Sequence, residues 1–283
     1  MHVRSLSIGL AWLVLTASAS QGETPLERGR YLMNSIVACG NCHTPQTPDG
    51  PVRGKELAGQ FVIKNKAFTA YAPNITPDVA TGIGSWTDAQ IITAIRDGRR
   101  PDGTTIGPPM PFEFYRDISD TDVRAIVAYL QSVPAVKSTV PRSTYNIPLP
   151  EAYGPPVKQV ADVPRSDPVR YGAYLTGALG HCWSCHTPLV KGRLDFENQF
   201  GAGGQVLEGP WGVAVTANIT SHEDGIKGYS DHDIMQAIAN GVRPDGSQLS
   251  PPMGFYYYRK IKEPDLKAIV AYLRSVEPKP SPK

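Results

Sequence analysis

The four cysteines of this 283-residue chain all lie in two short motifs, and a histidine directly follows the second cysteine of each motif. Both motifs read C-x-x-C-H, the pattern by which c-type haem is attached. Residues at i, i+3 and i+4 share one face of a helix, so two thiols there can form thioethers to the haem vinyl groups while the imidazole reaches the iron. The sequence therefore predicts two covalently bound haem c groups. The residues assigned to them are Cys39, Cys42 and His43 in the first motif and Cys182, Cys185 and His186 in the second.

Three other uses of closely spaced cysteines compete with haem attachment. A thiol–disulfide oxidoreductase motif would lie in a βαβ pattern, which surrounds neither motif. A structural zinc site needs four cysteine or histidine ligands, whereas each motif offers two thiolates and one imidazole. Two disulfides that close such short loops would add little stability. The complete motif occurs twice, at matching places of a repeat, and this favours haem attachment over all three alternatives.

Haem iron in an electron-transfer cytochrome needs a sixth ligand, which is commonly the thioether of a methionine. Met110 and Met253 both lie in proline-rich loops just before aromatic residues, and each follows the histidine of its motif by 67 positions. Met33 and Met235 occupy helical positions and are interpreted as core residues. The predicted iron ligands are therefore His43, Met110, His186 and Met253.

The second half of the chain repeats the first at an offset of 143 residues. The repeat includes both haem motifs, the R-P-D-G segments at 100–103 and 243–246, and the A-I-V-A-Y-L segments at 125–130 and 268–273. A repeat of this length indicates duplicated domains rather than a solenoid. The predicted organisation is a signal peptide at 1–19, an N-terminal haem domain at 20–133, a proline-rich linker at 134–166 and a C-terminal haem domain at 167–283.

Three helices can be placed in each domain, and no region alternates convincingly as a β-sheet. The second helix of each domain follows a capping-box pattern, T-D-A-Q in the first and S-D-H-D in the second. We expect the first helix to run into the C-x-x-C-H motif, and the fold to be mainly α with long loops. In the two domains the helices begin near Leu26 and Pro168, near Thr87 and Ser230, and near Ser119 and Pro264.

The N-terminus reads as a targeting signal. Arg4 precedes an apolar run at 6–15, and A-S-A at 17–19 supplies the small-x-small pattern that signal peptidase recognises. No later stretch approaches the 18 apolar residues that a membrane helix needs. We therefore expect export to the periplasm, with the signal peptide cleaved and no membrane span in the mature chain; an uncleaved N-terminal anchor is the alternative.

Composition restricts the possible partners. Hydrophobic residues make up 41% and charged residues 19% of the chain, which is typical of a globular protein. The formal net charge is +2 and no basic tract occurs, so nucleic acid is not an expected partner. Between 134 and 164 there are seven prolines, which predict a stiff, extended segment. We expect that segment to lie across a domain surface and to fix the relation of the two haems; a flexible tether is the alternative.

With a haem motif on the first helix, a methionine in a loop and a final helix in each half, the chain resembles the class I c-type cytochromes. The segments at 73–78 (P-N-I-T-P-D), 81–86 (T-G-I-G-S-W) and 99–103 (R-R-P-D-G) are more specific. They resemble the multihaem cytochrome subunits of bacterial periplasmic dehydrogenases for alcohols, aldehydes, gluconate and related compounds. Those subunits often carry three haems and sometimes a C-terminal anchor. This chain has two motifs and ends in K-P-S-P-K, which leaves a free electron shuttle open.

The resemblance implies roles for residues outside the motifs. The carbonyls of Pro45 and Pro188 would accept a hydrogen bond from Nδ1 of the proximal imidazoles and orient the rings. Tyr229 replaces Trp86 in the second copy, so the two pockets need not be identical. Candidates for contact with haem propionates, with ordinary loop capping and packing as the alternative, are Asn74, Trp86, Arg100, Asn218 and Arg243.

Three histidines, His181, His222 and His232, have no counterpart in the first half. We interpret them as polar surface residues, the alternative being that one of them serves as a haem ligand.

Methionine as the sixth ligand predicts fairly high reduction potentials and irons with both axial positions filled. The resemblance therefore implies a carrier rather than an enzyme. It would accept electrons from a periplasmic dehydrogenase and pass them to a terminal oxidase or a soluble cytochrome. The alternative is a haem enzyme, such as a dihaem peroxidase or a dehydrogenase for sulfur compounds, which would need an open axial position. A third interpretation, a subunit that holds a dehydrogenase at the membrane, predicts stable copurification with that enzyme.

Overall fold

The computed structural model describes residues 22–47, 50–209 and 211–283, and the predicted signal peptide at 1–19 lies outside them. Within these residues no helix is long and apolar enough to cross a membrane. The helices of the first half are α1 (Pro25–Met33), α2 (Gly40–His43), α3 (Asp88–Asp97), α4 (Phe112–Tyr115) and α5 (Asp120–Ser132). Its strands are β1 (Gln46–Thr47), β2 (Gly50–Pro51), β3 (Gln60–Lys64), β4 (Phe68–Ala72) and β5 (Thr144–Tyr145).

The second half presents elements of the same kinds in the same order. Two features differ: a π-helical turn, Leu175–Leu179, extends its first helix, and it has no counterpart of β5 among the described residues. Its helices are α6 (Pro168–Tyr174), α7 (Trp183–His186), α8 (Asp231–Asn240), α9 (Phe255–Tyr258) and α10 (Glu263–Ser275). Its strands are β6 (Leu189–Val190), β7 (Arg193–Leu194), β8 (Val206–Gly209) and β9 (Gly212–Val215).

The second helix of each half begins and ends at local signals that the sequence carries. The Thr87 side chain accepts a hydrogen bond from the Gln90 backbone at the start of α3, and Gly98, with a φ of 63°, ends that helix. Ser230 caps α8 in the same way, and Gly241 ends it with a φ of 67°. Glycine suits these C-terminal positions because it adopts positive φ without steric cost. The predicted second helices are confirmed.

The third helices are also confirmed, but the first helices differ from the prediction. α5 begins after the Ser119 cap, and α10 has Pro264 in its first turn. α1 ends at Met33, and the non-helical segment 34–39 separates it from the haem motif. A residue with positive φ, Ala38 in the first half and His181 in the second, precedes each motif. Because positive φ is incompatible with a right-handed helix, the chain must begin a new turn there.

Short antiparallel hairpins, which the sequence did not predict, flank the haem motifs. β3 pairs with β4, and β8 pairs with β9. In the first half β5 adds a third strand by pairing with β4. The three valines of the β8–β9 hairpin are each more than 60% exposed. These strands lack the alternation of a half-buried sheet because much of their surface faces solvent. The structure therefore combines helices with small hairpins, which the prediction of a mainly α fold with long loops did not include.

In each half the first helix crosses the last helix at very close range: α1 packs against α5, and α6 packs against α10. A Cβ atom added to Gly29 would overlap the carbonyl oxygen of Ala125 on α5. A Cβ atom on Gly172 would overlap the carbonyl of Ala268 on α10 in the same way. The absence of a side chain at both positions therefore sets how closely these helices approach.

We predict that Gly29→Val destabilises the protein by about 1–3 kcal/mol or more, because the added methyl groups must push α1 away from α5. Gly172→Val should have a similar effect on the second half. The matched control is Gly177→Ala, since no atom lies within 4 Å of the Cβ position at that glycine. Thermal unfolding followed by far-ultraviolet circular dichroism checks the prediction, and an equal effect of all three substitutions would contradict it.

The proline-rich linker lies along the first half. The Val136 carbonyl accepts a hydrogen bond from the Asn74 side chain at 2.7 Å, and β5 extends the β3–β4 sheet. Further along, the Val157 backbone donates to Asp97, and the Val160 carbonyl accepts from the Asp120 backbone. These contacts confirm that the segment lies on a domain surface. They argue against a flexible tether.

The two halves are joined by two matching tyrosine–aspartate hydrogen bonds. Tyr31 Oη donates to Asp265 Oδ2 of the second half at 2.7 Å. Tyr174 Oη, at the equivalent position, donates to Asp122 Oδ2 of the first half at 2.8 Å. Asp122 also forms a buried ion pair with Arg28. Buried apolar side chains of both halves belong to one continuous cluster, so the halves pack as a unit.

Candidate haem-binding sites

Each haem motif forms a single helical turn with its thiols unbridged, since all four cysteines are free. Burial raises the pKa of Cys39 and of Cys182 to about 12. Among the described residues no group of three or more side chains is placed to hold a metal ion, whereas a structural zinc site needs four ligands. The geometry therefore disagrees with a structural zinc site and with disulfides within the motifs.

The histidine of each motif is oriented by a backbone carbonyl. His43 Nδ1 lies 2.8 Å from the carbonyl oxygen of Pro73, and His186 Nδ1 lies 2.7 Å from that of Ala217. A carbonyl can only accept, so Nδ1 carries the proton and Nε2 is the nitrogen available to iron. Burial lowers the pKa of both histidines, which also favours the neutral imidazole that a metal requires.

The predicted acceptors of these hydrogen bonds, the carbonyls of Pro45 and Pro188, are wrong. The Pro45 carbonyl accepts from the Val52 backbone at 2.8 Å, and that of Pro188 accepts from the Asp195 backbone at 2.9 Å. Both bonds close the small turns that follow the motifs. The true acceptors lie about 30 residues beyond each histidine, at the start of the N-I-T segments, where only the tertiary structure brings them into reach.

Asn74 and Asn218 hold those N-I-T segments in place, and the structure favours loop capping over the predicted propionate contact. Asn74 Oδ1 accepts from the backbone and the hydroxyl of Thr76, while its Nδ2 donates to Val136 and Thr81. Asn218 makes the equivalent bonds to Thr220 and to the Lys279 carbonyl. Their side-chain hydrogen bonds are thus used within the protein. Each asparagine lies next to the carbonyl that orients a histidine.

The other propionate candidates lie near the predicted ligands but have protein partners. Arg100 donates to the Thr105 carbonyl at 3.0 Å, and Arg243 donates to the Gln248 carbonyl at 3.1 Å. Both arginines therefore brace the turns that lead into the methionine loops. Trp86 and its counterpart Tyr229 are half-buried and pack against the core. A role in propionate contact remains a prediction for Trp86, Arg100 and Arg243.

Met110 and Met253 lie in matching loops, each directly before a short helix, α4 or α9. Both side chains are half-buried, and a cis peptide bond joins the two prolines before each methionine. Met33 is buried in the core and Met235 packs against it, which confirms their predicted roles. Met110 also packs against the core. What separates Met110 and Met253 from Met33 and Met235 is their position in matching loops rather than on helices.

Two tyrosines that the sequence did not single out connect the methionine loops to the haem motifs. Burial, followed by the neighbouring thiols of Cys39 and Cys42, raises the pKa of Tyr115 well above its ordinary value. Burial, followed by the thiols of both cysteines of the second motif and of Cys42, likewise raises the pKa of Tyr258, which occupies the equivalent position. Each tyrosine lies five residues after a loop methionine. Each tyrosine thus lies near the cysteines of its own half, and Tyr258 also lies near Cys42 of the first half.

One of the three additional histidines is not the surface residue that was predicted. His181 packs edge-on against Tyr115 of the first half with ring centroids 5.7 Å apart, and burial lowers its pKa to about 4. His181 directly precedes Cys182 and is itself the residue with positive φ before the second motif. His232 is exposed, as predicted, and His222 forms a surface contact with Asp224.

Comparison with known proteins agrees with this geometry in both halves. Residues 24–130 match the family described as cytochrome c oxidase, cbb3-type, subunit III. Residues 171–277 match the family described as cytochrome c. The chain is a dihaem c-type cytochrome. Its two cytochrome c domains lie in tandem, and each carries one covalently bound haem.

Relatives of this cytochrome include subunits of several dehydrogenases. The fructose dehydrogenase cytochrome subunit of Gluconobacter japonicus is 31% identical over 92% of this chain, and the match covers 54% of that protein. The alcohol dehydrogenase (quinone) cytochrome c subunit of Gluconobacter oxydans is 30% identical over 98% of this chain and 60% of the relative. A diheme cytochrome c-type protein of Cereibacter sphaeroides is 28% identical over 93% and 87%. The chain spans little more than half the length of the two dehydrogenase subunits.

The residues present fit haem c in both domains. Each site combines two free thiols on one helical turn, an imidazole whose Nδ1 is already bonded, and a loop thioether. Buried tyrosine rings line the space beside the thiols. These residues would supply haem iron with one nitrogen and one sulfur ligand in addition to the porphyrin nitrogens.

Proposed function

We propose that this cytochrome is an electron carrier of the periplasm, with iron ligands His43 and Met110 in the N-terminal domain and His186 and Met253 in the C-terminal domain. The observation that carries the proposal is that each half supplies its own oriented imidazole and its own methionine loop. Bound haem supplies a ferric–ferrous couple. The protein orients the imidazoles through Pro73 and Ala217 and surrounds the attachment sites with buried aromatic rings.

We infer that both axial positions of each iron are filled by the protein. A substrate, oxygen or peroxide then has no open coordination site, so electrons pass by outer-sphere transfer. Methionine stabilises ferrous iron relative to harder ligands, so both potentials should be fairly high. These properties suit a relay between a dehydrogenase and a high-potential acceptor.

The matching order of elements supports a further proposal, that the chain arose by internal duplication. In this proposal the chain consists of a cleaved signal peptide at 1–19, haem domains at 20–133 and 167–283, and a linker at 134–166. Export fits the signal-like N-terminus and the oxidising compartment in which covalent haem attachment is completed. Periplasmic location would place the cytochrome next to its electron donor.

We propose a dehydrogenase as that donor and a terminal oxidase or a soluble cytochrome as the acceptor. Support comes from the relatives, which are named as cytochrome subunits of fructose, alcohol and gluconate dehydrogenases. If the cytochrome is a free shuttle, its contact with each partner should bury less than roughly 1,200 Å², as transient redox encounters do. A stable subunit would instead copurify with the dehydrogenase.

The experiment is to mix oxidised holoprotein with purified periplasmic dehydrogenases for sugars, alcohols, aldehydes and aldonic acids, each with its substrate. We expect one of them to reduce both haems rapidly, whereas omission of the substrate should abolish the reaction. Hydrogen peroxide is added to the reduced protein in parallel. Slow reduction by every dehydrogenase combined with rapid peroxide turnover would overturn the carrier and favour a haem enzyme.

A further inference from the structure

The two methionine loops have the same sequence pattern but are held by different parts of the molecule. In the first half the linker holds the loop: Tyr145 Oη donates to the Pro108 carbonyl at 3.2 Å. The Tyr145 ring and Leu149 also occupy the space that a side chain on Gly107 would need. Pro108 lies two residues before Met110, so the linker fixes the backbone that leads into this methionine.

The loop of the second half contacts the haem-attachment turn of the first half instead. Asn41, which lies between the two cysteines of the first motif, donates from Nδ2 to the Pro252 carbonyl at 3.3 Å. Its side-chain Cγ lies 3.7 Å from the Cβ position of Gly254. Asn41 therefore touches the residues immediately before and after Met253. Among the described residues the β8–β9 hairpin has no third strand corresponding to the linker strand β5.

Helix α9, which follows the loop, rests on the same turn. A Cβ atom on Gly40 would overlap the hydroxyl of Tyr257, so the ring occupies the space that a side chain would take. The equivalent residue of the second motif is Trp183, which instead packs within its own half, 4.2 Å from the Phe200 ring centroid. The packing of α9 against the first motif therefore explains why position 40 is glycine while position 183 is tryptophan.

We propose that Gly40 and Asn41 are positioning residues for Met253, so that the attachment turn of the first haem holds the sixth ligand of the second. Tyr145 of the linker has the matching role for Met110. This inference rests on the proposed function, since it takes the two methionines as iron ligands. The two loops are thus held by different segments: the first motif contacts the loop of Met253, and the linker contacts the loop of Met110.

The test compares Asn41→Ala with Tyr145→Phe, which each remove one hydrogen bond, in two holoprotein backgrounds. Met110→His leaves Met253 as the single source of the methionine–iron charge-transfer band of ferric haem, and Met253→His leaves Met110. The affinity of the remaining methionine is measured by titration with imidazole, which displaces it and removes the band. In the first background Asn41→Ala should weaken the methionine roughly two- to tenfold, while Tyr145→Phe should leave it unchanged. In the second background the effects should be reversed.

The inference is overturned if Asn41→Ala leaves the affinity of Met253 unchanged, or weakens Met110 by the same factor. Asn41→Ser, which gives the first motif the residue of the second, repeats the test with a smaller change. A wrong assignment of the methionines as iron ligands would give a different result. In that case Met110→His alone would leave the intensity of the methionine–iron charge-transfer band unaltered. The thermal unfolding midpoint of each variant shows whether a loss of the band reflects global unfolding.

Discussion

Asp122→Ala will lower the free energy of unfolding by about 3–5 kcal/mol, because it leaves a buried guanidinium without its counter-charge. Arg28 Nε and Nη2 donate to the two carboxylate oxygens of Asp122 at 2.7 and 2.9 Å. Both side chains are only 8% exposed. Tyr174 of the second half donates to the same carboxylate, so the substitution also removes a contact between the halves.

The equivalent position in the second half provides a matched control. Asp265 accepts from the neutral hydroxyl of Tyr31, and Tyr171 replaces the arginine at the position equivalent to Arg28. Asp265→Ala removes a hydrogen bond to a charged acceptor and should cost about 1.5–3 kcal/mol. Denaturant unfolding of both holoprotein variants measures the difference. Equal destabilisation by the two substitutions would contradict the role given to the buried ion pair.

Met253→His will lower the reduction potential of the second haem by on the order of 0.1–0.3 V, within the roughly 0.8 V range that axial ligands span. Imidazole donates more strongly to ferric iron than a thioether does, so the oxidised state is stabilised. The potential of the first haem should change much less, because Met110 belongs to a separate loop. Spectroelectrochemical titration resolves the two potentials.

Met235→Leu is the control for that measurement. Met235 packs against the core from α8, and leucine has a similar volume, so neither potential should shift. If Met253→His left both potentials unchanged, Met253 would not be an iron ligand. If Met235→Leu shifted one of them as strongly, the assignment of the loop methionines would be wrong.

The features that the sequence predicted well are those set by local chemistry. The Thr87 and Ser230 caps and the glycines that end α3 and α8 act within one helical turn, so a short window reveals them. The C-x-x-C-H spacing is local in the same sense. The matching loops of Met110 and Met253 could be found because the repeat doubled an otherwise weak signal.

The features that the sequence did not predict depend on contacts between distant segments. Each proximal histidine takes its acceptor from a segment about 30 residues away, and the assignment of Pro45 and Pro188 from the family resemblance was wrong. His181 was taken for a surface residue because nothing local shows that it faces Tyr115 of the other half.

Asn41 occupies a variable position of its motif, and its contact with the Pro252 carbonyl spans the interface between the halves. Packing of the two halves against each other thus determines details of both sites that neither copy of the repeat contains by itself.

The visible spectrum of the ferric holoprotein, recorded on material whose covalent haem content is determined by intact mass, tests the central claim most directly. We expect two haems per chain, entirely low-spin iron and a methionine–iron band with the intensity of two haems. A chain with a single haem, or a high-spin ferric fraction that binds peroxide, would contradict a carrier whose irons are both capped by histidine and methionine.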